Sequence, residues 1–155
     1  MRMQDRYLCK ARPIGTRKQW VTGFCAVLGE KTVIIVNEPE KFYDVDSGKN
    51  SHGNKIVEVI PKTVCWCTGL KDKNGTIIWE NDIVKHYNDD AHPENYCTGT
   101  VLWDENYAGF YRTSNEYGLS KPRISSDCIY EVVGNVFDDP ELLEEKYGDM
   151  QTQES

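Results

Sequence analysis

Three carboxylates, Asp72, Glu80 and Asp82, fall within eleven positions of the stretch TGLKDKNGTIIWENDIVKHY, residues 68–87 of the 155-residue chain. Carboxylates that close in sequence can divide acid and base roles when a cleft shifts the pKa of one of them, or can hold a hard cation. The residues among them point to a chain reversal instead. Asn74-Gly75 is a strong short hairpin signal, because both central residues of a type I′ turn need positive φ. Asp72 and Lys73 then read as polar flanks of a solvent-facing hairpin. Asn81 tolerates a left-handed backbone, and Asp82 can accept bonds from nearby backbone N–H groups and fix the bend between two strands. Asn74, Gly75, Asn81 and Asp82 are therefore expected to be structural turn residues. No catalytic residue is assigned, and the chain is expected not to be an enzyme.

Other chemistry-bearing groups are weaker candidates. Cys65 and Cys67 form C-x-C, and on a strand both thiols face the same way. A closed zinc site wants four ligands, usually from two paired motifs, and Cys97, Cys128, His86 and His92 are scattered. His86, Asp89, Asp90 and His92 lie in or beside a polar loop without a helical histidine pair. Gly48 and Gly53 have P-loop spacing, but Asn54-Lys55 follow where Lys and Ser/Thr are needed, and KIVEVI (55–60) alternates as a strand does rather than opening a phosphate-binding helix. The expectation is no cofactor and no metal.

Composition narrows the function classes. The net charge is −7, with 39% hydrophobic and 28% charged residues, which describes a globular chain. No apolar run approaches the length of a membrane span, and the first twenty residues lack a signal-peptide block. A cytoplasmic setting is expected, with all six cysteines as thiols. Charge is uneven. Arg2, Arg6, Lys10, Arg12, Arg17 and Lys18 make the N-terminal end basic, while the residues from Asp127 onward are strongly acidic. An acidic protein repels polyphosphate at long range, so nucleic-acid binding ranks below other readings, and opposite ends could attract in self-association.

The elements that must position these residues are mostly strands. YLCKA (7–11), QWVTGFCAVL (19–28) and TVIIVN (32–37) suggest an antiparallel meander, with KFYDV (41–45) a short strand or helical turn. DSGKNSHGNK (46–55) reads as a surface loop. TVCWCTGL (63–70) and TIIWEN (76–81) flank the first hairpin, IVKHY (83–87) follows, and TGTVLWD (98–104) with FYRTS (110–114) makes a second hairpin around ENYAG (105–109). CIYEVVGNVF (128–137) is a strand with Gly134 a bulge or close-approach point. Asp138 or Asp139 caps one short C-terminal helix with Pro140 in its first turn, Leu142, Leu143 and Tyr147 on its apolar stripe, and Gly148 as its stop. The expected organisation is an N-terminal β lobe (1–62), a second lobe with the helix (63–147) and a loose tail (148–155), forming one compact unit of five to eight strands.

The chain resembles the YopX family of small phage and prophage proteins. The resemblance is carried by TGLKDKNGTIIWENDIV (68–84), GTVLWDENYAGFY (99–111) and IYEVVGNVFDDPELL (129–143), and more weakly by WVTGF (20–24) and KTV (62–64). Asn81 stands where that family usually has Gly. The resemblance implies a mainly β protein whose second half is an SH3-like small barrel or roll, of phage or prophage origin. It implies no reaction, cofactor or catalytic residue. The leading expectation is a noncatalytic macromolecular binding or assembly protein that self-associates or engages a phage or host protein, without a membrane role. Tyr96, Tyr107, Phe110 and Tyr111, around the second hairpin, are the candidate interaction surface. Tyr107 and Tyr111 are expected to be exposed, whereas Trp103, which alternates with Val101, is expected to be buried. The alternative is single-stranded nucleic-acid binding through aromatic platforms and the six basic N-terminal residues.

Overall fold

The computed structural model describes residues 6–15, 19–36, 55–113 and 121–143 with their side chains, and the backbone of 40–44 and 49–53. Expectations for other residues, including Tyr147, Gly148 and the tail, lie outside the described residues. The chain divides into two compact units, Arg2–Cys67 and Thr68–Ser155. Both are built from antiparallel strands, twelve among the described residues rather than five to eight.

In the first unit β1 (Leu8–Ala11), β2 (Val21–Leu28) and β3 (Lys31–Val36) form the meander, with Gly29-Glu30 turning β2 into β3. β4 (Glu40–Asp44) and β5 (Lys49–Gly53) make a separate two-stranded sheet. The 46–55 stretch is thus a correction: a loop was expected where β5 lies. Its polar composition hides a strand because ladder bonding asks only for backbone groups. β6 (Ile56–Glu58) pairs with β3, and the start of β7 (Cys65–Lys71) pairs with β1. β-Branched and thiol side chains from these strands close the core, with Cys9, Ala11, Ile34 and Val59 fully enclosed.

β7 crosses the boundary between the units, and its later residues neighbour β8 (Ile77–Trp79). The second unit's main sheet runs β11-β10-β9-β12, from β9 (Asp82–Tyr87), β10 (Tyr96–Asp104), β11 (Gly109–Arg112) and β12 (Ile129–Asn135). Ile78, Val84, Val101 and Tyr130 form its core, joined by Leu70, Phe110, Ile124 and Val132. Among the described residues no sheet closes on itself, so a complete barrel is not seen. A bulge in β12 falls between Val132 and Gly134, and helical residues begin at 141–143. Leu142 N–H bonds to Asp139 O and Leu143 N–H to Pro140 O. The Asp139 carboxylate itself turns back to accept from Asn135 N–H at 3.1 Å.

Candidate functional site

The carboxylates of the first hairpin are engaged with the backbone. Asp72 is 7% exposed. Its Oδ1 accepts from Asn74 N–H at 2.8 Å and Thr76 N–H at 2.9 Å, and its Oδ2 accepts from Val132 N–H at 3.0 Å. The expected solvent-facing flank is therefore corrected: Asp72 is an internal tie from the hairpin to β12. The turn type is corrected with it. Gly75 has φ 81°, but Asn74 is not among the positive-φ residues, and Gly75 N–H bonds to Asp72 O at 3.0 Å. This is a type I turn followed by a left-handed glycine rather than type I′. The Asp72 side chain, by accepting from Asn74, favours that right-handed start.

Asp82 is 2% exposed and accepts from Trp79 N–H through Oδ2 at 2.8 Å. Asn81 takes the left-handed backbone, with φ 66°. Asn81 N–H bonds to Val101 O at 2.7 Å, and its own carbonyl accepts from Val136 N–H at 3.0 Å. That bend therefore joins β10 to the residues beyond β12. Glu80 is half-buried beside it. Among the described residues no three His, Cys, Asp or Glu side chains gather as a metal ion would require.

Five of the six thiols, and His86, are also built into the sheets. Cys65 and Cys67 are both buried. Burial, with Cys25 alongside, pushes the Cys9 thiol up to about 12, so it carries no thiolate at neutral pH. Cys97, His86 and Tyr130 form one row across β10, β9 and β12. Cys97 Sγ lies 3.6 Å from His86 Nδ1, an arrangement that could activate a nucleophile. However, Arg112 Nη2 lies 3.2 Å from the same nitrogen. A guanidinium can only donate, so Nδ1 is occupied as an acceptor and is a poor base for the thiol. His92 is elsewhere, its Nδ1 3.0 Å from Asp89 in the exposed loop.

The aromatic residues of the second hairpin make the more open feature. Asp104, Tyr107, Gly109, Phe110, Tyr111, Lys121 and Arg123 line a groove of about 290 Å3. β10 and β11 stay paired to Asp104↔Gly109, one step past Trp103↔Phe110, and the turn residues 105–108 are exposed. Asp104 Oδ1 fastens the turn by accepting from Asn106 N–H at 2.9 Å, and its Oδ2 holds Lys121 Nζ at 3.0 Å. Lys121 holds the Asp104 carboxyl below its ordinary pKa, and Lys121 is raised in return. Lys121 sits over the Tyr111 ring at 5.0 Å and Arg123 over Tyr107 at 5.3 Å. Each tyrosine is thereby capped by a cation.

Tyr107 is 65% exposed, and Tyr111 is half-buried. Trp103 corrects its expectation: it is 45% exposed, edge-on to Phe110 with centroids 5.0 Å apart. Alternation with Val101 places it on the core face, but it stands one pair from the end of the β10–β11 ladder, with Phe110 opposite it. Its place next to the turn was the missed signal. Tyr96 does not join this group. It stands at the opposite end of β10, roughly 23 Å from Trp103 at strand rise, with Lys85 over its ring at 4.3 Å. Three of the four expected surface residues thus share the groove.

Comparison with protein families matches the YopX protein family over residues 28–144. The chain belongs to the YopX family. Comparison with curated proteins finds no match. The matched range takes in both hairpins and the start of the helix, and leaves out WVTGF (20–24).

A second charge network in this YopX-family chain gives a pH prediction. Glu131 accepts from Tyr87 Oη at 2.5 Å and pairs with Lys73 Nζ at 2.7 Å. Lys73, then Tyr87, hold the Glu131 carboxyl below its ordinary value of 4.5. A depressed folded pKa contributes stability above the unfolded pKa and loses it as pH falls through the folded value. The urea midpoint should therefore fall as pH drops from 5 toward 2, about the ordinary carboxylate range. Glu131→Gln should flatten part of that fall, and an unchanged profile would show that the network contributes nothing.

Proposed function

We propose that this YopX-family chain is a phage- or prophage-encoded, noncatalytic binding or assembly protein. It acts in the host bacterial cytoplasm and engages a macromolecular partner through the β10–β11 hairpin. The second unit would be an opened variant of an SH3-like roll. What carries the reading is exposed Tyr107 in a groove whose tyrosines are capped by cations, with exposed Trp103 edge-on to Phe110 of the same hairpin. Rigid aromatic rings and arginine are the residue types that dominate binding energy at interfaces. The engagement of Asp72, Asp82 and His86 with neighbouring groups also favours a noncatalytic role.

The test compares proteins captured from infected host cells by the native chain and by Trp103→Ala/Tyr107→Ala. Truncating two anchors should weaken capture by roughly 30-fold or more. An identical captured set for both would remove this surface from the function. Light scattering across a salt series decides self-association, since a monomer at every ionic strength ends that part of the proposal.

Single-stranded nucleic acid remains the second reading. It is favoured by Lys10 and Arg12 over the Trp20 ring, at 5.0 and 5.1 Å, in the basic N-terminal stretch. A salt-dependent shift with oligothymidylate, lost when the six N-terminal cations are neutralised, would promote it. No binding at low salt would end it.

A further inference from the structure

Charge within the groove is not shared evenly between its two cations. Lys121 is committed to Asp104 at 3.0 Å, a carboxylate only 4% exposed at its side chain. Arg123 is exposed, with its guanidinium 5.3 Å from the Tyr107 ring centroid, and no ion pair or side-chain hydrogen bond engages it among the described residues. Its backbone is fixed, since Arg123 bridges to Tyr111 and Ile124 N–H bonds to Phe110 O at 3.2 Å. A cation–π contact consumes none of a guanidinium's N–H donors and leaves them for a planar, two-oxygen acceptor. Phe110 and Gly109 supply an apolar wall beside it.

The groove thus offers one uncommitted fork, two capped tyrosine rings and an apolar wall, with a carboxylate set into its lining. We propose that it recognises an acidic peptide segment of another protein: one Asp or Glu carboxylate on Arg123, with a neighbouring apolar side chain against Phe110. This rests on the binding role proposed above and names the partner's chemistry. A single-stranded nucleic acid fits less well. Its phosphates repeat and call for several free cations along a track. Here Lys121 is already neutralised by Asp104, and Arg123 alone is left where such a track needs several.

The experiment is an NMR titration of the full chain with N-acetylated octapeptides, each carrying one Asp or Glu beside Leu or Phe. Asn and Gln counterparts, dT8, and the chain's own 138–145 peptide are run in parallel. The expected result is shifts confined to 104–112 and 121–124 with the acidic peptides. Their Asn and Gln counterparts and Arg123→Gln should each weaken binding about tenfold, the loss of one charge-assisted pair. Arg123→Lys, which keeps the charge without the fork, should fall between. Equal shifts from the amide peptides, or none from the acidic ones, overturn the inference. So does stronger binding of dT8, which would favour nucleic acid, or of the 138–145 peptide, which would make a second copy the occupant. Should the acidic peptides fail while lysate capture still depends on Trp103 and Tyr107, the binding role stands and only the partner's chemistry falls.

Discussion

Replacing Asp72 with alanine should lower the unfolding free energy by about 3 kcal/mol, the scale of charge-assisted hydrogen bonds lost to buried partners. One carboxylate satisfies three backbone donors: Asn74 and Thr76 in its own turn and Val132 on β12. Water can reach Asn74 and Thr76, which are exposed, but Val132 is half-buried in a strand with a bulge beside it. The Val132 donor therefore accounts for the larger share. Asp72→Asn, which retains one oxygen, should lose about half as much. Lys73→Ala, one position away, should lose far less, because its pair with Glu131 is partly exposed. Urea unfolding of the three variants decides the matter. Were Asp72 an acid or base held in a strained site, its removal would leave stability unchanged or raised, and Asp72→Ala within 1 kcal/mol of the native chain would overturn the structural role.

That result bears on function as well as folding. The hairpin and the bend at Asn81–Asp82 carry the carboxylates on which an acid/base reading would rest, and the oxygens of Asp72 and Asp82 accept from backbone amides. Asp82 does for Trp79 what Asp72 does for Asn74, Thr76 and Val132. An interaction surface in the second unit is then left to side chains that the scaffold does not consume. Trp103, Tyr107 and Arg123 are such side chains.

Sequence was most informative where local chemistry decides backbone shape. Asn-Gly located the reversal and Asn81 the left-handed bend, because few residues accept those conformations. Hydrophobic alternation located every strand from β6 onward to within a few residues. Turn type was misread, since it depends on which N–H the Asp72 carboxylate meets, and that is fixed by β12 sixty positions away. β5 was missed because KNSHG has no apolar face to alternate. Trp103 was misplaced for a third reason. Parity along a strand assigns a face, but how far the core extends beneath that face depends on where the partner strand turns. In the groove, Tyr107, Phe110 and Tyr111 were legible as aromatics near a turn. Lys121 and Arg123 were not, because they arrive from a segment without regular structure.

Gly99 offers a sharper test of packing that the sequence does not announce. A β-carbon there would lie 2.1 Å from Thr113 O, a backbone atom that no rotamer change can move. Thr113 is itself held to the next residue of β10: its N–H bonds to Thr100 O at 2.9 Å, and its Oγ1 accepts from Thr100 N–H at 2.9 Å. Gly99→Ala must displace that segment and break both bonds. The expected loss is about 3 kcal/mol or more, the upper part of the range for overpacked interiors. Gly75→Ala provides the contrast. It has positive φ but nothing within 4 Å, so only the left-handed backbone penalises it, by about 1 kcal/mol. The displacement at Thr113 should also reach the groove, because the preceding Arg112 N–H bonds to Pro122 O, between Lys121 and Arg123. Amide shifts at 121–124 in folded Gly99→Ala would confirm that the close approach sets the groove's shape. A variant as stable as Gly75→Ala, with those amides unmoved, would show that the two segments yield without cost.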